Sequence, residues 1–400
     1  MNNKKGSSAV FIMVILAALI TITLTFIYSA REESIKSRVD GIMNLAGDSV
    51  MSEFDYNVQK EYGLFMLSLD EETLEKKIKS YVEYSLESVK DIEIQNISAS
   101  CSRFSVVNRS LIKNQLLEYM KTAEAEGVIK KLADGDLQKE NTMMQRTMRH
   151  GPTIVSLPSS TVEKQSLTVL AETIADKGKN VTKAFEAGTD KYLLTSYLFM
   201  HFNNRVNTIN ENHFFKSEIE YVIGGELSDK KNEKRVEIAL KAMRFALNLA
   251  HIYADEDKRA ATMALAQIMT PGAEVMTQAA LASTWAYAET DNDIKLLWQG
   301  SSVPFKKDKE TWAIDLDGAV EGITQGIVRP SEEKGYNYEE YLNILVYFQN
   351  DEMLIARILD LIQINMRKNY NSDFLIQEQA TGVVVKATVN GREYGYEKKY

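Results

Sequence analysis

Residues Ala9–Tyr28 read AVFIMVILAALITITLTFIY. The stretch carries no charge, no Gly and no Pro, and from Gly6 to Ala30 no charged side chain occurs. A bilayer core of roughly 30 Å takes about 20 apolar residues at a rise of 1.5 Å each. The run therefore predicts one transmembrane helix over residues 9–30. Thr21, Thr23 and Thr25 fit such a helix, because their hydroxyls can bond a carbonyl one turn back. Lys4 and Lys5 precede the run, while Arg31 beyond it is followed at once by Glu32 and Glu33. The excess of basic residues marks the cytoplasmic side. It places residues 1–8 inside the cell and residues 31–400 outside, in a single-pass protein of the cell membrane. A cleaved signal peptide is the rival reading, but its apolar core spans about 7–15 residues before a small-x-small site. Here the run is longer, and the pair preceding a cut after Ala30 is Tyr28 and Ala30.

Beyond the apolar run the helical period continues. Ile35, Val39, Ile42, Ala46, Val50, Phe54 and Val58 recur three or four residues apart, forming one stripe. The first strong stop is Gly63, after Glu61-Tyr62. One helix from Ala9 to Glu61 would be roughly 80 Å long, with residues 31–62 as the spine of an outer domain. The stripe suits packing against that domain; a seam between copies along Ala9–Val58 is the homo-oligomeric alternative.

Asp70-Glu71-Glu72 caps a second helix over about 71–90. The period then becomes two. Ile92 and Ile94 alternate with polar residues, the phase slips at Asn96, and Ile97, Ala99 and Cys101 resume it, predicting a strand over 92–101 with a bulge at Asn96. Residues 109–370 read as a helical region. Its segments are expected at about 109–133, 136–148, 161–177, 190–203, 229–254, 257–268, 272–289, 337–349 and 351–369. Gly151-Pro152 to Ser160 forms a loop, and Pro271 suits the first turn of the helix after it. Ala-rich sequence over 260–288 lets helices approach closely, with Trp285 and Trp298 filling core space. Trp312, Ile314 and Leu316 alternate with Ala313, Asp315 and Asp317, which predicts a brief strand. Arg329-Pro330 to Gly335 reads as a loop.

At the C-terminus Val383, Val385, Ala387 and Val389 alternate, Asn390-Gly391 signals a tight hairpin turn, and Tyr394 and Tyr396 alternate on the return. A hairpin over 383–396 needs a third strand or a helix for stability. The 92–101 strand is the partner available. The fold class expected is therefore mainly α with a small antiparallel β-sheet (α+β): a long N-terminal helix, a sheet closed over it by the C-terminal hairpin, and a large helical insertion between the first and second strands.

Composition narrows the function classes. The chain has 400 residues, is 44% hydrophobic and 26% charged, and carries a net charge of −9. It lacks a long basic block, which argues against a nucleic-acid partner. Cys101 is the one cysteine; an intramolecular disulfide and a cysteine-cluster metal site are excluded, and its neighbours suggest a buried small side chain.

The sequence offers little that points to catalysis. His150, His201, His213 and His251 are scattered, and no HExxH, Gly-rich phosphate loop or GxSxG occurs. His201 and His213 lie near Glu211 in sequence, but surface or core histidines are the plainer reading, so no metal, cofactor or catalytic residue is assigned. Glu218 and Glu220 flank Ile219. They share a face on a strand and diverge on a helix, and a capped, solvated segment is the plain reading of this pair and of Asp315 and Asp317. An enzyme is not expected.

Several short motifs together resemble a known family. They are Lys5-Gly6 before the apolar run, Asp48-Ser49, Glu53-Phe54-Asp55-Tyr56, Glu61-Tyr62-Gly63-Leu64-Phe65, Glu218-Ile219-Glu220-Tyr221-Val222-Ile223-Gly224-Gly225, Val303-Pro304, Tyr338-x-x-Tyr341-Leu342 and Leu359-Asp360-Leu361-Ile362-Gln363-Ile364-Asn365. Across the whole chain these resemble domain of unknown function 5702, a family of bacterial membrane-anchored proteins without an established activity. The resemblance implies association with a tight-adherence (Tad) pilus system. It also implies a prepilin-type processing site between Gly6 and Ser7, although Phe11 stands where pilins carry Glu. The function expected is an accessory or minor pseudopilin-like component of such an assembly. Its partners would be membrane lipid and other envelope or pilus-assembly proteins. The alternative is a membrane-anchored surface module that binds an envelope component or ligand.

Overall fold

A computed structural model describes residues 4–68, 70–86, 92–125, 154–177, 189–322 and 335–400. The chain is mainly helical, with small antiparallel sheets, and divides into two compact units. The first comprises Met1–Gln59, Phe65–Asn108 and Gln377–Tyr400; the second comprises Lys60–Leu64 and Arg109–Ile376.

In the first unit, helix α1 runs Lys4–Met51. Over the described residues it is the one helix long and apolar enough to cross a membrane, with mean hydropathy 2.8 and none of its apolar window buried. Thr21, Thr23 and Thr25 each return the hydroxyl hydrogen to the carbonyl four residues back at 2.8 Å. Burial begins further along, with Val39, Met43, Ala46 and Val50 on one stripe. One helix therefore has a bare apolar half and a packed half.

The expected continuation of this helix to Glu61 is not found. The chain turns at Ser52-Glu53 and restarts as α2, Tyr56–Tyr62. Asp55 causes the restart: its carboxylate accepts from the amides of Asn57 (2.8 Å) and Val58 (3.1 Å), and its own N–H donates to Met66 O at 2.8 Å. An Asp satisfying the orphan amides of a first turn is an N-cap, and it outweighs the continuing apolar phase. Gly63, at φ +67°, ends α2.

Two-residue strands β1 (Leu67–Ser68) and β3 (Gln379–Ala380) pair antiparallel, a contact too short to leave a periodic signal. After helix α3 (Glu71–Leu86) comes β2 (Ile94–Ser100). The C-terminal strands β4 (Gly382–Val389) and β5 (Arg392–Lys399) complete a sheet of order β2-β4-β5, all antiparallel. The phase slip is present, with Gln95 the extra residue between Ile94 and Asn96. Asn390 and Gly391, at φ 48° and 77°, make the turn; two positive φ values match the right-handed twist of a hairpin. The sheet lies on α1: Tyr396 donates to Asp40 at 2.5 Å and Lys398 pairs with Asp48 at 2.7 Å.

The second unit is helical. Helix α4 is described over Arg109–Ala125; the remainder of that expected helix and the one at 136–148 lie outside the described residues, as does the loop around Arg329 up to residue 334. A short 3-10 turn at Pro158–Thr161 precedes α5 (Leu167–Lys177), where one helix from 161 was expected. Then follow α6 (Asp190–His201), α7 (Glu218–Gly224), α8 (Asp229–Ala254), α9 (Glu256–Met269), α10 (Glu274–Trp298), α11 (Leu316–Val320), α12 (Tyr338–Tyr347) and α13 (Asp351–Asn369).

Two local expectations fail here. Pro271 is not in a helical first turn: Gly272 at φ +91° completes a tight turn and α10 starts at Glu274. The alternation at 312–317 does not form a strand, because Asp315 caps α11 by accepting from Gly318 N at 2.7 Å. Asn337 and Glu340 form a reciprocal capping box on α12. Helix α13 is buried from Met353 to Arg367 and forms the centre of this unit.

Candidate functional site

Helix α7, the Glu218–Gly224 motif, is buried at every residue, both acids included. The sequence left strand and helix open. The helix is set from outside itself: Ile219 N donates to Asn203 O at 3.0 Å, and Gly225 ends the helix in the left-handed region at φ +69°. A Cβ on Gly225 would lie 2.4 Å from Arg357 Nη2, and one on Gly224 would lie 2.7 Å from Asn232 Oδ1. The paired glycines are therefore places where other side chains sit on the backbone.

The two carboxylates diverge. Glu218 Oε2 accepts from Asn203 N (2.8 Å) and sits 2.7 Å from His213 Nδ1, while Oε1 accepts from Asn365 Nδ2 at 2.6 Å. Glu220 Oε1 accepts from Arg205 N (3.0 Å) and the Tyr338 hydroxyl (2.9 Å), and its Oε2 has no hydrogen-bond partner among the described residues. Burial pushes the Glu220 carboxyl up to about 7, against the lowering effect of these hydrogen bonds. Tyr221 donates to Asp360 Oδ2 at 2.8 Å, and Asp360 Oδ1 accepts from Ser159 N at 2.9 Å. Burial raises the Asp360 carboxyl as well.

What this polar core holds is a loop, 203–217. Asn203 is its hub: Oδ1 accepts from Ile209 N (2.8 Å) and Asn210 N (2.9 Å), and Nδ2 donates to Asn210 O and Phe215 O. Asn204 Oδ1 accepts from Val206 N and Asn207 N. The loop's buried residues are thus fixed by α7, while Arg205–Thr208, Glu211, Asn212 and Phe214 face solvent. The Arg205 guanidinium stacks 3.5 Å from the Trp298 ring centroid and pairs with Glu233 at 3.3 Å. Loops positioned by a rigid scaffold are where recognition concentrates.

A second polar core joins α8 to α10. Arg244, fully buried, donates from Nε to Asp293 Oδ2 (3.0 Å), from Nη1 to Pro304 O, Phe305 O and the Tyr341 hydroxyl, and from Nη2 to Asn248 Oδ1. Lys307 pairs with Glu289 and Asp293, and Glu289 accepts from Ala313 N and Ile314 N. Two cations and two anions neutralise one another inside the unit. The sequence reading missed them because the partners are far apart in the chain; the i, i+4 spacings Arg244/Asn248 and Glu289/Asp293 are the trace they leave.

The sequence candidates do not converge. His201 Nδ1 lies 2.8 Å from Glu61 O, within a ring cluster of Tyr62, Tyr119 and Tyr197. His213 serves Glu218, Glu211 is exposed, and His251 stacks on Trp312 at 5.1 Å. His150 lies outside the described residues. Among the described residues no group of three His, Cys, Asp or Glu is arranged to hold a metal ion. Asp315 is a helix cap, and Cys101 is buried. Gly6 and Ser7 lie on the helical backbone at the start of α1. Glu218 and Glu220, both closed to solvent, bind backbone amides and neighbouring side chains of their own unit.

Comparison with known protein families finds a match. The model of a family of unknown function, DUF5702, matches residues 112–391. That span holds the Glu218–Gly225, Val303-Pro304, Tyr338–Leu342 and Leu359–Asn365 motifs but not the N-terminal ones, so the resemblance read across the whole chain narrows to these residues. No curated protein matches the chain, and no solved structure does.

Proposed function

From the premise that this chain belongs to the family of unknown function DUF5702, we propose that it is an accessory or minor pseudopilin-like component of a Tad-type pilus or secretion assembly, rather than an enzyme. Its N-terminal apolar helix fits a single-pass membrane anchor. The finer reading places residues 1–8 in the cytoplasm and residues 31–400 outside the cell membrane, with other envelope or pilus-assembly proteins as partners.

The single observation that carries the proposal is α1. Its apolar N-terminal half is bare, and from Val39 the same helix is packed under an antiparallel sheet. A continuous helix couples the two: a lateral contact made in the bilayer acts directly on the sheet packed against that helix. Such a helix suits assembly into a larger envelope complex, through lipid-side contacts between copies or with other apolar helices. The helical unit is then cargo for display, and the loop 203–217, fixed from below by Glu218 and Glu220, is the face that supports a second reading as a surface binding module.

Mass spectrometry of the intact protein and its N-terminal peptide, isolated from native membranes, tests the proposal. A start at Ser7 is the result expected of a prepilin-like component. A start at Met1 or Asn2 removes the pseudopilin reading and leaves a permanently anchored accessory or binding protein. A start near Arg31 removes the anchor.

A further inference from the structure

The two edges of the β2-β4-β5 sheet are finished differently. At β2 the strand bulges at Gln95, Glu75 accepts from Ala99 N at 3.1 Å and Glu71 from Cys101 N at 3.0 Å. β5 pairs with β4 along all of its length, with no bulge and no Pro. Tyr400 N donates to Thr381 O, which sets the phase of this ladder. Arg392, Tyr394, Tyr396 and Lys398 bond β4, so Glu393, Gly395, Glu397 and Lys399 turn their N–H and C=O groups outward. Among the described residues nothing bonds those outward backbone groups, and all four residues are exposed.

Native sheets keep an unpaired edge short, bulged or charged. β5 has 8 residues and no bulge, and most of its charges are engaged within the unit. Arg392 pairs with Glu32 and Lys398 with Asp48 on α1, and Glu397 pairs with Arg103. Glu393 and Lys399, one toward each end, are left for a partner. The contacts to α1 also give a direction. From Glu32 to Asp48 the helix rises about 24 Å, and from Arg392 to Lys398 the strand covers about 20 Å, so β5 runs alongside α1 in the same sense.

We propose that the outer edge of β5 receives an extended segment of a different protein as a fourth strand, with the pattern acid–x–Thr–x–aromatic–x–base and aliphatic residues at x. Laid antiparallel, such a segment exchanges main-chain bonds with each outward residue. Its acid falls opposite Lys399, its Thr opposite Glu397, whose charge Arg103 already meets, and its base opposite Glu393. The aromatic residue falls opposite Gly395, where a Cβ would meet nothing within 4 Å. A ring there covers the edge glycine and reaches toward exposed Lys386, the neighbour of Gly395 on β4. The aliphatic residues lie on the side of the half-buried Tyr394 and Tyr396.

A second copy does not fit this edge. Two β5 strands paired antiparallel need a two-fold axis normal to the sheet, which reverses α1 and sends the two apolar halves in opposite directions. Two related by an axis along the strands meet level, N–H against N–H. The β2 edge of another copy is closed by its acids. The first of these exclusions rests on the anchor reading above; the open edge does not.

The experiment titrates the full-length protein in detergent with the fluorescently labelled peptide EVTVYVK-amide. Saturable binding is expected in anisotropy. N-methylation of the Thr and Tyr amides, which face β5, should weaken binding about tenfold or more, and N-methylation of the Val amides, which face away, should leave it unchanged. Gly395→Pro removes an outward N–H and no ladder bond, and should weaken binding as much; the methylated peptides carry the test if that variant does not fold. No binding at millimolar peptide, or equal binding of the two methylated peptides, overturns the proposal. So does oxidation of Gly395→Cys to a covalent dimer in native membranes, since a second copy then holds the edge; Cys101 is buried and stays out of that reaction. Retention through alkaline carbonate washing is scored separately. A retained protein that ignores the peptide sinks the strand site alone, whereas loss on washing sinks the anchor, and the edge site then stands or falls by the peptide and the cross-link.

Discussion

Tyr338 donates its hydroxyl to Glu220 Oε1 at 2.9 Å, and the other oxygen of that buried carboxylate has no hydrogen-bond partner among the described residues. A carboxyl pushed up to about 7 when folded, against an ordinary value near 4.5, binds a proton more tightly in the native state. The native state is favoured by that difference below about pH 4.5, and the advantage is lost as pH rises through 7. Integrated over the interval it amounts to on the order of 3 kcal/mol. Glu220→Gln keeps the acceptor for Arg205 N and Tyr338 and removes the titration. Thermal melting from pH 5 to 8.5 should show the variant gaining on the wild type as pH rises. Parallel curves would remove Glu220 as the cause.

The elements that were legible in the sequence are those whose signal is local. The apolar run at Ala9–Tyr28 and the Asn390-Gly391 turn between alternating strands each state their structure within a few residues. The break at Ser52–Asp55 was not legible, because the apolar phase continues through it and the deciding contact, Asp55 N to Met66 O, joins residues a loop apart. The alternation at Trp312–Asp317 misled for the opposite reason: Asp315 is a cap, and capping overrides period. At the candidate site, the spacing of Glu218 and Glu220 was visible but their environment was not. Asn203 and Arg205, 15 residues earlier, supply the amides that make those acids buried ones.

Gly63 stands where any side chain collides. Its φ is +67°, and a Cβ there would lie 2.2 Å from Tyr119 Cε2. Left-handed backbone costs a non-glycine residue roughly 1–2 kcal/mol, and overpacking a filled site about 1–3 kcal/mol more. Gly63→Ala should therefore destabilise by about 2–5 kcal/mol in denaturant titration. At Gly272, also in the left-handed region but with open space around it, the same change should cost the backbone component alone. Equal losses at the two positions would contradict the packing account.

Arg244 bridges α8, α10 and the chain at Pro304-Phe305 through a planar fork that no other side chain reproduces. Replacing it by Met leaves two carbonyls without their donor and the surrounding acids short of one cation. Breaking a buried ion pair from one side typically costs 3–5 kcal/mol, and that is the loss expected for Arg244→Met. Arg244→Lys should recover little, because one ammonium cannot span Asp293, Asn248 and both carbonyls. Near-wild-type melting of the Lys variant would show that charge alone is what this core requires.

The outer edge of β2 is closed by two acids one helical turn apart on α3. Glu75 Oε1 accepts from Ala99 N at 3.1 Å, and Glu71 Oε1 accepts from Cys101 N at 3.0 Å and from the Ser100 hydroxyl at 2.9 Å. Edge amides left free invite another strand, and each lost hydrogen bond of this kind costs about 0.5–1.5 kcal/mol. The double change Glu71→Ala with Glu75→Ala should raise amide exchange at Ala99 and Cys101 while sparing Val385 in the central strand. The Cys101 thiol, which burial and the nearby Glu71 carboxylate hold up at about 12, reports on the same edge. It should resist a thiol reagent at pH 8 in the wild type and react faster in the double variant, since reactivity follows access and thiolate content. If exchange at Ala99 and Cys101 stays unchanged, the carboxylates are spectators and the edge is protected by the packing of α3 itself.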